Sequence, residues 1–129
     1  MAIPAEQGLV KHYTASFAAG SADPVTISYT MPGGVRDVDL SAQLQGQGVA
    51  VFVNNTADVP VDVDIYANTS IYGETFKVYI GSFTVGASSD GGMATGFGLL
   101  KQGVEVVVTP ASAPSDNADV VVAIVPSNG

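Results

Sequence analysis

The sequence predicts an all-β fold, a single antiparallel β-sandwich of either the jelly-roll or the immunoglobulin-like type. Apolar and polar residues alternate along most of the chain, which is the pattern of strands with one buried face. Clusters of glycine, proline and asparagine interrupt the alternation at short intervals, as turns between strands do. No segment has the apolar spacing of an amphipathic helix. These observations predict about eight or nine short strands.

The first half of the chain alternates in segments that are separated by turn residues. The predicted strands cover residues 9–17, 25–31, 38–44 and 49–53. The second strand ends at Pro32-Gly33-Gly34, because proline interrupts a strand ladder and glycine accepts unusual dihedral angles. The segment 45–48 forms the next turn, and Asn54-Asn55 closes the following strand.

The second half continues the pattern with one change of phase. The predicted strands cover residues 59–67, 74–85, 103–109 and 119–125. The apolar positions of 74–85 move from even to odd numbers after Gly81, which predicts a β-bulge at this glycine. The glycine-rich segment 86–98 is expected to be a loop or an irregular edge segment, and 110–117 a polar loop.

Composition limits the classes of function. A chain of 129 residues has the usual size of one domain, and we expect an N-terminal arm at 1–8 and a single sandwich at 9–129. Cysteine is absent, which excludes thiolate metal sites and thiol nucleophiles. The net charge of −8 disfavours nucleic acid and anionic membranes as partners. No apolar run is long enough for a transmembrane helix, and the first residues lack a secretory signal pattern.

Two pairs of aspartates have the spacing of neighbours on one strand face. Asp62 and Asp64 lie in VPVDVDIYA, residues 59–67, and Asp37 and Asp39 form a similar pair. Side chains two residues apart on a strand emerge about 6.5–7 Å apart. Glycosidases use two carboxylates at a comparable distance, but across a cleft and with one pKa raised by burial. We therefore expect both pairs to lie on solvated sheet faces.

A calcium site is the alternative for these aspartates, because Ca²⁺ is bound by oxygen ligands. The side chains that could supply them are Asp58, Asp62, Asp64, Asn54, Asn55 and Asp90. The sequence contains no EF-hand and no repeated Asp-Gly loop. No cofactor is therefore expected.

No catalytic motif of a known enzyme class appears in the sequence. His12 is the only histidine, so no cluster of imidazoles can bind a metal. A Ser-His-Asp arrangement is not expected, because no Gly-x-Ser-x-Gly elbow is present. The segment 91–98 is rich in glycine but lacks the lysine of a phosphate-binding loop. We expect a protein that is not an enzyme.

The last two strands are apolar on both faces. Glu105 is the only polar residue of 104–108, and 120–125 contains none. A sheet face of this kind needs cover from a loop, a partner subunit or another protein, so we expect an assembly interface. The alternative is that valine is present only as a strong strand former. The predicted interface residues are Ile3, Pro4, Val107, Val121, Ala123 and Val125.

The chain as a whole resembles the head decoration, or cement, proteins of tailed bacteriophages. The resemblance is one of overall style. It rests on the short, acidic, cysteine-free β-sandwich, the arm MAIPAEQ, and strands rich in small residues such as YGETFKVYIGSFTVGAS (72–88) and GLLKQGVEVVVTPAS (98–112). No family binding residue can be assigned from it.

This resemblance implies a structural virion protein. Such a protein is made in the host cytoplasm and binds the outside of the capsid as a homo-oligomer, commonly a trimer. Its partner is the major capsid protein, and it stabilises the shell by clamping neighbouring capsid subunits through several contacts at once. The alternative is a carbohydrate-binding or adhesin-type β-sandwich, with calcium as an optional ligand and with Tyr66 and Tyr72 as exposed aromatic residues.

Overall fold

Eight antiparallel strands form the computed structural model, which describes residues 11–30, 48–71, 73–95 and 103–127. The strands are β1 (Lys11–Phe17), β2 (Val25–Thr30), β3 (Gly48–Asn55), β4 (Val61–Ile71), β5 (Glu74–Val85), β6 (Ser89–Thr95), β7 (Gly103–Pro110) and β8 (Ala118–Ser127). The prediction of an all-β sandwich is confirmed. The described ranges contain no helix that could span a membrane. The arm at 1–8 and the predicted strand at 38–44 lie outside the described residues.

The strand order identifies the jelly roll. Sheet A has the order β1-β8-β3-β6, and sheet B has the order β2-β7-β4-β5. The first strand therefore pairs with the last, the second with the seventh, the third with the sixth and the fourth with the fifth. This is the pattern of one long hairpin rolled into two four-stranded sheets, which is the jelly-roll topology. An immunoglobulin-like arrangement would divide its strands differently.

The core lies between the two sheets and is made mostly of valine. In β7 the inward residues Val104, Val106 and Val108 are fully buried, and the residues between them are half-buried. The same period of two places Val120, Val122 and Ile124 of β8 in the core. Burying one such side chain contributes about 1.5–3 kcal/mol, so the alternation is the main source of stability. The β-branched side chains also favour the extended backbone.

A buried asparagine joins the loops at one end of the sandwich. Asn55, at the end of β3, is fully buried. Its Nδ2 donates hydrogen bonds to the carbonyl oxygens of Val59 and Gly86 at 2.9 and 3.0 Å, and its Oδ1 accepts from the amide of Ala57 at 3.0 Å. This side chain therefore links the β3–β4 loop to the β5–β6 loop and supplies partners for buried backbone groups.

The bulge predicted at Gly81 is confirmed. Ile65 of β4 pairs with Gly81, but the next residue, Tyr66, pairs with Tyr79, so Ile80 is the extra residue. The bulge changes the inward positions of β5 from even to odd residue numbers. It also places Tyr79 on the outer face of sheet B beside Tyr66. Of the two expectations for 86–98, the edge segment is correct for 89–95, which form the edge strand β6 of sheet A, while 86–88 form a turn and 96–98 lie outside the described residues.

Glu105 is the only charged residue of β7, and side chains of β4 and β5 in the same sheet contact its carboxylate. Lys77 of β5 lies 3.3 Å from Oε1 of Glu105, and Asn68 of β4 donates a hydrogen bond to Oε2 at 3.0 Å. The Lys77 ammonium also lies 4.6 Å from the centre of the Tyr66 ring. These contacts hold the pKa of Glu105 below its usual value, because the Asn68 hydrogen bond and the Lys77 charge stabilise the carboxylate.

Candidate binding face on sheet A

The outer face of sheet A carries two parallel rows of side chains that form the best candidate site. The register of the strands aligns one row across the sheet: His12, Ala123, Phe52 and Gly92. The neighbouring row contains Thr14, Val121, Asn54 and Asp90. We call these two rows the Phe52 face. Each residue points outward because its neighbours along the strand point into the core.

Phe52 lies against a glycine in the adjacent strand. A Cβ atom built on Gly92 would come within 2.7 Å of Cδ1 and 3.3 Å of Cε1 of the Phe52 ring. The ring therefore occupies the space above Gly92 that any other residue would fill. Although it rests on the sheet, 52% of Phe52 is exposed. The result is an aromatic surface supported from below and open to solvent.

Polar side chains lie on one side of this ring and at one end of its row, and all of them are exposed. His12, Asn54 and Asp90 project from β1, β3 and β6. In the described part of the chain, none of the three side chains forms a hydrogen bond with another residue. As far as the described residues go, their donors and acceptors are therefore open to water or to a ligand.

The Phe52 face forms an open cavity of about 460 Å³. Phe52, Val121 and Ala123 supply its apolar surface, and His12, Asn54 and Asp90 line it with polar groups. Small-ligand sites combine apolar and aromatic residues with a few polar groups in this way, although they are usually more concave. The arrangement suits a flat ligand with one apolar side and hydrogen-bonding groups at its edge.

The structure separates the predicted interface residues. Val121, 39% exposed, and the half-buried Ala123 lie on the Phe52 face, and the half-buried Val125 is next to it on β8. Val107 lies on the other sheet, where it pairs with residues of β2 and β4 and is half-buried. Ile3 and Pro4 lie outside the described residues. An interface formed by these residues stays a prediction.

Asp62 and Asp64 lie on the outer face of sheet B, which is the solvated position expected for them. Asp62 is exposed and accepts a hydrogen bond from the hydroxyl of Thr84 at 2.8 Å, whereas Asp64 is half-buried. Within the described ranges, no three acidic or histidine residues are grouped so that they could bind a metal. Asp37 and Asp39 lie outside those ranges.

The other side chains considered for calcium have separate positions or structural partners. Asn55 is buried and hydrogen-bonded to backbone groups, as described above. Asp58 accepts a hydrogen bond from the amide of Ser115 at 3.1 Å, and hydrogen bonding with Ser115 lowers its pKa. Asn54 and Asp90 belong to sheet A, on the opposite side of the sandwich from Asp62 and Asp64. The described residues therefore give no support to the calcium alternative.

The carbohydrate-binding alternative predicts Tyr66 and Tyr72 as exposed aromatic residues, whereas the exposed tyrosine beside Tyr66 on sheet B is Tyr79. Tyr66 is half-buried and packs edge-to-face against Tyr79, with ring centres 5.7 Å apart. Tyr79 is 55% exposed and donates a hydrogen bond to Ser82. Tyr72 lies outside the described residues. Because Lys77 already lies against Tyr66 and the polar groups beside it are paired, this surface is less open to a ligand than the Phe52 face.

Sequence reasoning missed Phe52 as a site residue, although the signal was present. The alternation of β3 places Phe52 outward between the inward Val51 and Val53. An outward phenylalanine marks a candidate binding surface where other apolar side chains lie beside it, and here Val121 and Ala123 of β8 do. What the sequence does not contain is the pairing of β3 with β6, which brings Gly92 beneath the ring.

Comparison with known proteins supports the fold alone. No family model and no curated protein matches the sequence. The mitogen of Yersinia pseudotuberculosis is 11% identical at a TM-score of 0.55, with 90% of this chain and 84% of the mitogen covered. PirA is 10% identical at a TM-score of 0.51, with 86% and 90% covered. A family 16 carbohydrate-binding module is 10% identical at a TM-score of 0.41, with 83% and 70% covered. The similarity to the mitogen and to PirA thus concerns the fold and nothing further.

Proposed function

We propose that this protein is a non-enzymatic carbohydrate-binding module that binds sugars on the Phe52 face. The observation that carries the proposal is the half-exposed Phe52 ring, supported by Gly92 and lying beside polar groups that have no side-chain hydrogen bond to any described residue. A pyranose ring has an apolar side made of C–H groups and an edge of hydroxyls. Aromatic rings contribute large apolar contact area at a fixed geometry, so Phe52 fits the apolar side of the sugar.

The polar residues of the face match the hydroxyl edge of a sugar. Asn54 both donates and accepts hydrogen bonds, Asp90 accepts them, and His12 donates from one ring nitrogen when neutral. A hydroxyl group is itself a donor and an acceptor, so each of these side chains can exchange its water for a sugar hydroxyl. Such exchanges contribute little net affinity but select the orientation of the ligand.

The positions of the carboxylates support binding rather than hydrolysis. Asp62 and Asp64 are adjacent on one strand of sheet B and do not face each other across a cleft. Asp90, on the Phe52 face, is exposed. A glycosidase needs one carboxyl group whose pKa is raised by an apolar environment, and none of these three aspartates is buried.

Replacing Phe52 tests the proposal. Truncating an aromatic binding residue costs about 2 kcal/mol, so Phe52→Ala should weaken sugar binding about thirtyfold. Retention of the protein in gels containing soluble xylan, mannan, galactan or β-glucan measures the affinity. The matched control is Phe76→Ala, which removes a similarly exposed phenylalanine from β5. Failure of the unmodified protein to bind any of these glycans, or an equal loss in the control, would contradict the proposal.

Assembly on a phage capsid is a second candidate, favoured by the apolar residues of the same face. Phe52 and Val121 are exposed, and Ala123 and Val125 are half-buried in the single chain. A partner covering them would remove apolar surface from water. This candidate keeps the major capsid protein as the partner and a trimer as the expected oligomer.

Light scattering without any ligand separates the two candidates. An assembly protein should form a stable oligomer that Val121→Asp dissociates, because a charge buried in an interface is costly. A carbohydrate-binding module should remain one chain at the same concentrations, with Val121→Asp changing glycan retention instead. Co-purification with virus particles would support assembly, and a monomer that never associates with particles would count against it.

A further inference from the structure

The geometry of the Phe52 face points to a specific class of ligand: an internal segment of a neutral, linear glycan lying across the strands of sheet A. This inference rests on the proposed function and adds the charge and the length of the ligand. It follows from the acidic residue on the face, from the shape of the two rows, and from where the rows end.

The charge of the face opposes anionic sugars. Asp90 is exposed beside Phe52, and Asp119 lies on the same side of the sheet, where its carboxylate accepts a hydrogen bond from Ser16 at 2.9 Å. The whole chain has a net charge of −8. In the two described rows, His12 is the only side chain that can become cationic. A uronic acid bound over Phe52 would therefore meet the Asp90 carboxylate, with no lysine or arginine in these rows to offset the repulsion.

The shape of the face suits a chain of sugars better than one sugar. The row from His12 to Gly92 crosses all four strands of sheet A. With strands about 4.8 Å apart, this row is roughly 14 Å long. That length exceeds one pyranose ring and corresponds to about three linked rings. The second row runs parallel to it, so Thr14, Asn54 and Asp90 can contact hydroxyls along one side of the chain.

Small side chains leave the path of the glycan open. Ala50 and Ala94 lie on the side of the Phe52 row opposite to the polar row, beside the half-buried Val125. The row itself begins at β1 and ends at β6, which are the two edge strands of the sheet. No described residue on this face forms an end wall that would select the terminus of a glycan. With respect to residues 11–30, 48–71, 73–95 and 103–127, a longer chain can therefore extend beyond both edges.

A series of glycans that differ in length and in charge tests both parts of the inference, the length of the ligand and its neutrality. Affinities of the full chain are measured by calorimetry for neutral xylo-, manno- and gluco-oligosaccharides of increasing length and for polygalacturonate. The affinity for the neutral series should rise up to about three units and then level off. Polygalacturonate should bind about tenfold more weakly at low salt, and the difference should shrink as salt screens the charges.

A pair of charge variants isolates the role of Asp90. Asp90→Asn should reduce the discrimination against polygalacturonate, whereas Asp62→Asn makes the same change in net charge on the opposite sheet and should leave it unchanged. Equal or tighter binding of polygalacturonate, or full affinity for a single sugar, would overturn this inference but leave the proposed function standing. Binding to no glycan at all would overturn both.

Discussion

Two neighbouring residues of β3 show how a change of one position alters the role of an asparagine. Asn54 points outward, is exposed, and is free to contact a ligand. Asn55 points inward, is fully buried, and uses its amide to satisfy backbone groups of two loops. The residue type is the same, so the direction of the side chain decides the function. Alternation along a strand is the cause of this difference.

Removal of the Asn55 amide should therefore destabilise the fold. In Asn55→Ala the buried amide of Ala57 and the carbonyls of Val59 and Gly86 lose their partners. Leaving such groups unpaired costs about 3 kcal/mol in the free energy of unfolding. Urea denaturation measures the change. Asn54→Ala is the matched control and should alter stability by less than about 0.5 kcal/mol; an equal effect of the two variants would disprove the assignment.

At the scale of the element, β7 combines a valine core with one charged residue on its outer face. The pKa of Glu105 is lowered by Asn68 and Lys77, so the folded state favours the carboxylate. The stabilisation is therefore present above the pKa of the unfolded chain, about 4.3, and is lost as the pH falls through the lower folded pKa. Acid should weaken the fold through this group.

The variant Glu105→Gln tests the contribution of that carboxylate. The difference in unfolding free energy between the unmodified protein and the variant should be about 1 kcal/mol near pH 7. It should shrink below pH about 4, where the carboxylate becomes protonated. Thermal melts between pH 3 and 7 measure it. Glu74→Gln, which removes an exposed carboxylate of β5, serves as the control. A difference that is constant over this range would contradict the assignment.

The strands themselves could be predicted, because each is encoded by its own alternation. β1, β2, β4, β7 and β8 lie where the pattern places them, and the change of phase at Gly81 locates the bulge. For β6 the sequence does not distinguish a loop from an edge segment, since its glycine and serine residues give no clear alternation. Pattern and local turn residues thus account for most of the elements.

For the whole molecule, the sequence did not determine which strands are neighbours. The pairing of β1 with β8 joins residues that are more than one hundred positions apart, and no local pattern contains that information. For this reason jelly roll and immunoglobulin-like orders both remained open. The same limit applies to Val107 and Val121: alternation places both valines on outer faces, but they belong to different sheets.

The candidate site is likewise a property of the whole molecule. It combines His12 of β1, Phe52 of β3, Asp90 of β6 and Val121 of β8, and these four strands meet only in the folded sheet. No motif could reveal such a set, because its members have no fixed spacing in the chain. Alternation could identify Phe52 as outward, but the supporting Gly92 required the register between β3 and β6.

The extra residue in β5 has a consequence for how this chain can vary in length. Loops at the ends of strands tolerate insertions, but within β5 the extra residue Ile80 is accommodated only because the bulge keeps Lys77 and Tyr79 on the outer face of sheet B. If the strand alternated regularly through Ile80, Lys77 would turn to the inner face, away from Glu105, and Phe76 and Val78 would turn to the outer face. Homologues of this protein should therefore differ freely in their loops, and one that has a residue fewer in this strand should have lost the bulge with it.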